Sequence, residues 1–336
     1  MRAIVVNCSA PHYSLGAAKL ANWLRRDGHD VTEAKGDPGL YSLGFDLVAL
    51  SVIFSWNAPI ALDVANRVKA TSDVWCGGPG MTRLGPWWQR ETGLSAVVGL
   101  DQRFEREPGT YHMTFASRGC PVGCWFCIVP KLEGSAFTLY WDFQPAPILC
   151  DNNLSALPTD FQEHIINRYQ QVDQRLVDAE SGFEPMSFDQ ATFERWRPIL
   201  RGPWRFAYDE LAERPQVRRT FEILSGVRSR MKQVYVLAGN EPIAQCYQRA
   251  IEVIEWGGEP HVQYLRPLDW LGDRTTLRHR FDWTDQLGRD FCRYFNRRVW
   301  KTVGIHSYQP RLKDGYVFAG VVQTDPGSIP ATRVET

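Results

Sequence analysis

The chain has 336 residues, 44% of them hydrophobic, and its 38 acidic and 38 basic side chains cancel at neutral pH. This length is enough for about two domains, each with its own core, and the apolar content argues against a disordered chain. The balanced charge gives no general attraction for nucleic acid or an anionic membrane, and no apolar stretch reaches the roughly 18 residues that a bilayer requires.

Residues 1–105 alternate between short apolar runs and helical periodicity, a pattern typical of parallel strands joined by crossover helices. A first helix, with apolar residues three or four positions apart, ends at Gly28, and Pro59 opens a second. The apolar runs predict strands at residues 4–6, near 31, 47–53, 74–76 and 96–98. We therefore expect an α/β domain over residues 1–105.

Three cysteines follow at Cys120, Cys124 and Cys127, in the pattern C-x-x-x-C-x-x-C. Three thiolates can hold a 4Fe-4S cluster and leave its fourth iron without a protein ligand, open to a substrate or cofactor. A structural zinc site wants four ligands, commonly as two separated pairs, and the sequence has no second C-x-x-C pair. His112 is a candidate fourth ligand for zinc, but it lies in an apparent strand. The spacing therefore favours an iron-sulfur cluster over zinc.

This spacing resembles that of the radical S-adenosylmethionine (radical SAM) superfamily, in which the methionine moiety of SAM chelates the open iron. The resemblance implies that the three cysteines hold a cluster that cleaves SAM to a 5′-deoxyadenosyl radical after receiving one electron. An electron donor such as flavodoxin or ferredoxin is implied as well. The core is then a partial (β/α)6 TIM barrel over residues 110–271, with its first strand at 111–117. Phe126 falls at the aromatic position that lies near the SAM adenine in the family.

Residues 1–105 resemble the flavodoxin-like, cobalamin-binding domain that precedes the core in many members. Residues 51–53 (Ser-Val-Ile) stand where that family has Ser-x-Leu, and Gly77 and Gly78 stand where it has paired glycines. Members that ligate cobalt carry Asp-x-His-x-x-Gly after the first strand, whereas His12 has no Asp two places before it. Three alternatives stay open: cobalamin bound without a protein ligand, a fold that has lost cobalamin, or a docking domain for the substrate.

Further core strands are predicted at residues 148–153, 175–178, 205–208, 234–238 and 261–265. By resemblance, residues at their ends approach SAM or the substrate: Asp151, Asn152, Asn153, Arg205, Asp209, Gly239, Asn240 and Leu265. Carboxylate and amide oxygens can accept hydrogen bonds from the SAM ammonium group, and Arg205 can pair bidentately with a carboxylate. The alternatives are helix capping for the first three and an outward-pointing side chain for Arg205. The β-like stretch 137–143 predicts an irregular first crossover.

Residues 272–336 are predicted to form a helical extension and a mobile tail. A helix is expected over residues 284–300, with an apolar stripe on one side and several arginines on the other. The basic side is either a solvent-exposed face or a contact for an anionic substrate. The turn-rich composition of residues 325–336 indicates the mobile tail.

These patterns lead to one main interpretation: a radical SAM enzyme that abstracts hydrogen from an unidentified small-molecule or macromolecular substrate. A cytoplasmic location is expected, because cysteines are sparse and no signal peptide is recognisable. Neither a membrane nor a nucleic-acid partner is indicated. The alternatives are a cobalamin-dependent radical SAM methyltransferase and a non-catalytic zinc or iron-sulfur protein.

Overall fold

The computed structural model describes residues 1–109 and 112–308, and shows a mixed α/β fold with parallel sheets. The predicted mobile tail at 325–336 and the start of the predicted strand 111–117 lie outside the described residues. By its internal packing, the chain divides into two compact units. The first unit comprises Met1–Asn152, Asn167–Leu176 and Arg266–Thr276, and the second comprises Asn153–Ile166, Val177–Leu265 and the described residues from Leu277 on. The domain borders expected from the sequence stay a prediction.

Twelve strands and nine helices occur in the described ranges. The strands are β1 (Arg2–Asn7), β2 (Asp30–Lys35), β3 (Leu47–Ser51), β4 (Asp73–Gly77), β5 (Met113–Thr114), β6 (Ser117–Arg118), β7 (Thr138–Leu139), β8 (Ile148–Leu149), β9 (Asp178–Ala179), β10 (Trp204–Tyr208), β11 (Lys232–Ala238) and β12 (Glu259–Tyr264). The helices are α1 (Leu15–Arg26), α2 (Ala58–Val68), α3 (Gly85–Thr92), α4 (Val129–Leu132), α5 (Thr159–Gln171), α6 (Gln190–Trp196), α7 (Arg214–Ile223), α8 (Ile243–Glu255) and α9 (Asp285–Asn296). Within those ranges, every helix is too short or too polar to cross a bilayer.

The first unit contains a four-stranded parallel sheet in the order β2-β1-β3-β4. Strand β3 is buried along its whole length, which explains its nearly continuous apolar sequence. Helix α1 begins where Ser14 accepts a hydrogen bond from the backbone N–H of Ala17 at 3.1 Å. The strand predicted at residues 96–98 is reduced to a single parallel bridge between Gly77 and Val97.

Successive residues of a strand point to opposite faces of the sheet. In this sheet both faces are covered by apolar clusters. Ile4 and Val48 contribute to the cluster that includes side chains of α2 and α3. Their neighbours Ala3 and Leu47 contribute to the opposite cluster, which includes side chains of α1. Apolar burial on both faces therefore holds this part of the unit together.

Short strands surround the three cysteines in the same unit. Strand β5 pairs in parallel with β8, and β6 pairs with β7 in antiparallel fashion. The predicted first core strand is therefore interrupted, because its second half joins the aromatic stretch 137–143 instead of continuing beside β8. This pairing confirms that the crossover after the cysteines is irregular.

The second unit contains a three-stranded parallel sheet in the order β10-β11-β12, close to the strands predicted at 205–208, 234–238 and 261–265. The strand predicted at 175–178 is only the two-residue β9. Thr284 caps α9 by accepting a hydrogen bond from Leu287 N–H at 3.1 Å. This helix ends before the predicted residue 300, because Arg298 adopts a left-handed backbone conformation with φ of 55°.

Candidate functional site

The cysteine loop, defined here as residues 119–134, follows directly after β6 and carries Cys120, Cys124 and Cys127. All three cysteines are partly buried, and none of the chain's eight cysteines, all in the described ranges, forms a disulfide. Cys127 N–H donates to the Cys124 carbonyl at 3.0 Å, which places the last two cysteines on one turn. Val129 N–H donates to Cys127 Sγ at 3.4 Å.

The three thiols of the cysteine loop are the kind of donor that iron-sulfur clusters use. Three thiolates on one partly exposed loop suit a cluster in which each sulfur binds a different iron, and an N–H donor to a ligating sulfur is typical of such sites. In the described part of the chain, no three His, Cys, Asp or Glu side chains are grouped closely enough to hold a single metal ion. The loop therefore fits a 4Fe-4S cluster by the chemistry of its donors.

The two ends of the cysteine loop lie close together. Cys120 N–H donates to the Gly134 carbonyl at 3.3 Å. Gly119 has φ of 87°, and a Cβ atom at this position would lie 2.1 Å from the Ala136 carbonyl oxygen. Only glycine fits this close approach of two backbone segments without a shift of one of them.

A buried network of four charged side chains anchors the base of the loop. Arg118 donates from Nε and Nη2 to the two carboxylate oxygens of Glu105, at 2.7 and 3.2 Å. Its Nη1 donates to Glu133 Oε1 at 3.1 Å, and Lys19 Nζ of α1 lies 3.3 Å from Glu105 Oε1. The four side chains are at most 10% exposed. Two cations thus neutralise two carboxylates away from water, which buried charges require.

The titration of this network follows from its burial. Burial disfavours the charged form of Arg118, but the adjacent Glu105 and Glu133 outweigh it, so the pKa of Arg118 is raised. For Lys19, burial lowers the pKa and Glu105 offsets the effect only in part. Sequence reasoning missed all four residues. Arg118 directly precedes the loop and Glu133 lies near its end, and their opposite charges are compatible with an ion pair. The sequence alone gives no indication that this pair forms.

Asp151 and Asn152, which follow β8, face the base of this loop rather than standing open at a strand end. Asp151 is fully buried and accepts hydrogen bonds from Ala116 N–H at 2.8 Å and from the Ser117 hydroxyl at 2.5 Å. Burial raises the pKa of Asp151 to about 6, and these hydrogen bonds oppose the shift. Asn152 Nδ2 donates to Glu133 Oε2 at 2.7 Å. Asn152 therefore contacts the loop itself and Asp151 the chain just before it, and the contact of both residues with SAM stays a prediction.

Phe126 lies inside the cysteine loop and is partly buried. Its ring makes an edge contact with that of Trp125, with ring centroids 5.5 Å apart. Trp125 is 51% exposed, so this loop presents a large aromatic surface beside the cysteines. The predicted position of Phe126 near adenine stays a prediction.

The second unit contains Asn153 and the predicted residues from Arg205 onward. Asn153 Oδ1 accepts from the Ser155 hydroxyl at 3.3 Å and from Ala156 N–H at 3.2 Å, a local turn contact of the kind expected from the capping alternative. Arg205 pairs bidentately with a carboxylate, as its chemistry allows, but its partner is Asp178, with both distances 2.7 Å. The structure therefore gives each of these side chains a partner within the protein.

The remaining predicted residues follow β10, β11 and β12. Burial and the nearby Glu213 raise the pKa of Asp209 to about 7. Asn240 Nδ2 donates to the Asp209 carbonyl at 2.5 Å, which links the ends of β10 and β11. A Cβ atom on Gly239 would lie 2.7 Å from the Tyr264 ring. Leu265 N–H donates a hydrogen bond to the Ala238 carbonyl at 2.8 Å. These contacts bring the predicted residues together at one edge of the second sheet.

The loops after β1 and β3 meet at the carboxyl edge of the first sheet. His12 makes an edge contact with Phe54, with ring centroids 5.0 Å apart, and Phe54 stacks on Trp56 at 4.6 Å. Ser51 Oγ lies 2.8 Å from Ser14 Oγ. A Cβ atom on Gly78 would lie 2.6 Å from the Val52 carbonyl, so this glycine is required by the chain's own packing.

Taken together, these elements define a mixed α/β protein with parallel sheets and a cysteine loop that suits an iron-sulfur cluster. No protein-family model and no curated protein sequence matches the chain. A solved structure does: the radical S-adenosylmethionine methyltransferase TsrM from Kitasatospora setae, with cobalamin and a 4Fe-4S cluster bound. The TM-score is 0.59 at 11% identity, over 80% of this chain and 74% of that chain. At this identity the likeness shows a shared fold, which agrees with the fold expected from the resemblance stated above.

Proposed function

We propose that this protein is a radical SAM enzyme in which Cys120, Cys124 and Cys127 hold a 4Fe-4S cluster. The observation that carries the proposal is the C-x-x-x-C-x-x-C loop, placed on a buried ionic base in a chain whose fold is similar to that of a radical SAM methyltransferase. When bound and reduced, such a cluster supplies the electron that cleaves SAM to a 5′-deoxyadenosyl radical. That radical abstracts hydrogen from a substrate of unidentified class.

The proposed architecture is a flavodoxin-like sheet followed by a partial (β/α)6 barrel. The strand order β2-β1-β3-β4, extended by the bridge at Val97, supports the first part because flavodoxin-like sheets have the order 2-1-3-4-5. The parallel strands β10, β11 and β12, with α7 and α8 between them, support the second part. SAM is proposed to contact the strand-end residues predicted from the sequence, and a flavodoxin or ferredoxin in the cytoplasm is proposed to supply the electron.

The first experiment is purification without oxygen, followed by iron and zinc analysis and addition of SAM with dithionite. We expect a brown protein with about four irons per chain that forms 5′-deoxyadenosine. Cys124→Ala should lose both colour and turnover, whereas Cys292→Ala, in α9, should keep both. One zinc per chain without visible absorption would establish the zinc alternative, and a coloured protein that leaves SAM intact both with and without added cobalamin and reductant would establish a non-catalytic iron-sulfur protein.

A second candidate function is cobalamin-dependent methyl transfer from SAM. It is favoured by the first sheet, because flavodoxin-like sheets bind ligands at the carboxyl edge where neighbouring strands diverge, here the loops after β1 and β3. A cavity of about 480 Å³, lined in part by Asn7, Ser14 and Lys35, opens beside β1, β2 and the start of α1, next to the loop after β1 but not the loop after β3. Cobalt ligation by His12 is not part of this proposal, since its ring packs against Phe54.

Reconstitution with hydroxocobalamin tests this second candidate. After desalting, a bound corrinoid spectrum is the expected result. On reduction of the bound cobalt to Co(I) with titanium(III) citrate, SAM should transfer its methyl group to cobalt and yield methylcobalamin and S-adenosylhomocysteine in equal amounts. A protein whose spectrum contains only iron-sulfur bands would exclude cobalamin as a cofactor and leave hydrogen abstraction as the proposed reaction.

A further inference from the structure

The carboxylate of Glu133 holds together three separate pieces of the cysteine-loop region. Its oxygens accept hydrogen bonds from Arg118 Nη1 at 3.1 Å, Gly119 N–H at 2.9 Å and Asn152 Nδ2 at 2.7 Å. The side chain is 5% exposed. These partners come from strand β6, from the residue before Cys120 and from the chain after β8. One side chain therefore fixes the end of the loop against its beginning and against the next strand.

Burying a carboxylate lowers the stability of a protein unless the charge has both a counter-ion and hydrogen-bond donors. Glu133 has a counter-ion in Arg118 and further donors in Gly119 and Asn152. Its bond to Gly119 N–H acts on the peptide unit beside the first predicted ligand, Cys120, and its bond to Asn152 also draws that side chain to the Gly119 carbonyl, at 3.3 Å. The contacts thus constrain the backbone direction from which Cys120 departs.

The same carboxylate is one end of a longer buried chain of charges. Arg118 connects Glu133 to Glu105, and Glu105 connects to Lys19 in α1. The order of charges is Glu133, Arg118, Glu105, Lys19, so each charge has a neighbour of opposite sign. This chain ties the base of the cysteine loop to a helix that packs on the first sheet.

We propose that Glu133 is a positioning residue for the iron-sulfur cluster, and that the chain from Glu133 to Lys19 holds the cysteine loop in the conformation that receives it. The identity of the bound group rests on the proposed function, whereas the ordering of the loop does not. Glu133 does not ligate iron or touch substrate in this proposal. It acts through Gly119 and Asn152 on the loop that carries Cys120, Cys124 and Cys127.

Glu133→Gln tests the proposal with little change in size. The substitution turns one acceptor oxygen into a donor nitrogen, which must then face either Arg118 or the donors of Gly119 and Asn152. Glu163→Gln, on α5 with a side chain 61% exposed, is the matched control for the same chemical change. Far-UV circular dichroism and thermal unfolding check that each variant is folded.

The first readout is iron retention by the reconstituted full-length protein during dialysis against a chelator. We expect Glu133→Gln to weaken iron retention by about 10- to 100-fold, the range for groups that orient metal ligands. The second readout is the electron paramagnetic resonance spectrum of the reduced cluster, with and without SAM, which should change in Glu133→Gln and remain wild type in Glu163→Gln. A folded Glu133→Gln protein with wild-type iron retention and spectrum overturns the proposal.

Hydrogen–deuterium exchange of the metal-free protein provides a test that does not depend on the cluster. Peptides that contain Gly119 and Cys120 should exchange faster in Glu133→Gln than in wild type, since a neutral amide oxygen is a weaker acceptor than the carboxylate and the amide nitrogen cannot accept from either Gly119 or Arg118. Lys19→Met should produce a smaller increase in the same peptides. Unchanged exchange in Glu133→Gln would overturn the ordering role. Failure of wild-type protein to bind iron, together with faster exchange in the variant, would instead overturn the proposed function alone.

Discussion

The first sheet and the cysteine loop belong to one compact unit, yet different forces hold them. Strand β3 is buried along its length, and apolar clusters cover both faces of its sheet. The cysteine loop follows strands of only two residues and is anchored by four buried charges. Apolar packing tolerates many side chains of similar volume, whereas a charge network fails when one member is lost. The difference separates a scaffold held by packing from a site held by specific contacts.

Arg118→Met gives the largest expected effect, because it leaves Glu105 and Glu133 buried without their shared counter-ion. The free energy of unfolding of the metal-free protein should fall by about 3–5 kcal/mol, measured by urea denaturation at pH 7. Changing Arg118→Met together with Glu133→Gln should cost less than the single change, because the remaining carboxylate, Glu105, keeps Lys19 as its counter-ion. A single variant as stable as wild type would remove the distinction between the two regions.

Ile4→Ala tests the scaffold side of the comparison. Ile4 is fully buried in β1, and its truncation should lower the free energy of unfolding by about 2–5 kcal/mol through lost burial and a cavity. At temperatures where the variant is folded, its iron retention should equal that of wild type. Loss of iron from folded Ile4→Ala protein would show that the sheet and the loop are not held independently.

Asp151→Asn tests whether buried carboxyl groups set the pH dependence of the loop region. The pKa of Asp151 is raised from 3.8 to about 6, so the folded protein binds the proton more tightly than the unfolded chain. Its contribution to stability is fully present below about pH 3.8 and is lost as the pH rises through 6, a change of up to about 3 kcal/mol. Asp151→Asn should flatten the measured stability between pH 4 and 7.

The control for this pH series is Asp30→Asn, a change at an exposed position of β2. It should leave the slope of unfolding free energy against pH unchanged over the same interval. Equal slopes for wild type and Asp151→Asn would contradict the assignment of this titration to Asp151.

Arg25→Ala is expected to have the smallest effect. Arg25 Nη2 lies 2.7 Å from Glu33 Oε1, but both side chains are about half exposed, at 44% and 51%. Solvent screens such a pair, so the free energy of unfolding should fall by only about 0.2–1 kcal/mol. A loss as large as that of Arg118→Met would show that burial is not what distinguishes the two ion pairs.

Much of the fold was predictable from periodicity. The apolar runs located β1 and β3, because these central strands of a parallel sheet are buried on both faces. The strands β2, β4 and β10 to β12 were also located, although they contain partly buried or exposed positions. The two-residue strands around the cysteines were predicted less well. Residues 111–117 were expected to form one strand, but the described part divides between two different pairings. Such short pairings depend on tertiary contacts that a local pattern does not encode.

The three cysteines of the candidate site were evident from the sequence, but the residues that support their loop were not. Cys120, Cys124 and Cys127 were evident from their spacing alone. Asp151 and Arg205 were chosen for their chemistry at strand ends, and the structure shows both engaged with partners inside the protein. Neither partner was evident from the sequence, because Ser117 and Asp178 lie 34 and 27 residues away along the chain.

The sequence by itself determined the alternation of strands and helices and the spacing of the three cysteines, since both are local patterns along the chain. Only the tertiary structure decided that Lys19, Glu105, Arg118 and Glu133 form one buried chain of charges beneath the cysteine loop. Charged residues are ordinarily found at the surface, so their type predicts exposure. Folding brings residues up to 86 positions apart into contact, Lys19 with Glu105, and the mutual neutralisation of the four charges makes their burial possible.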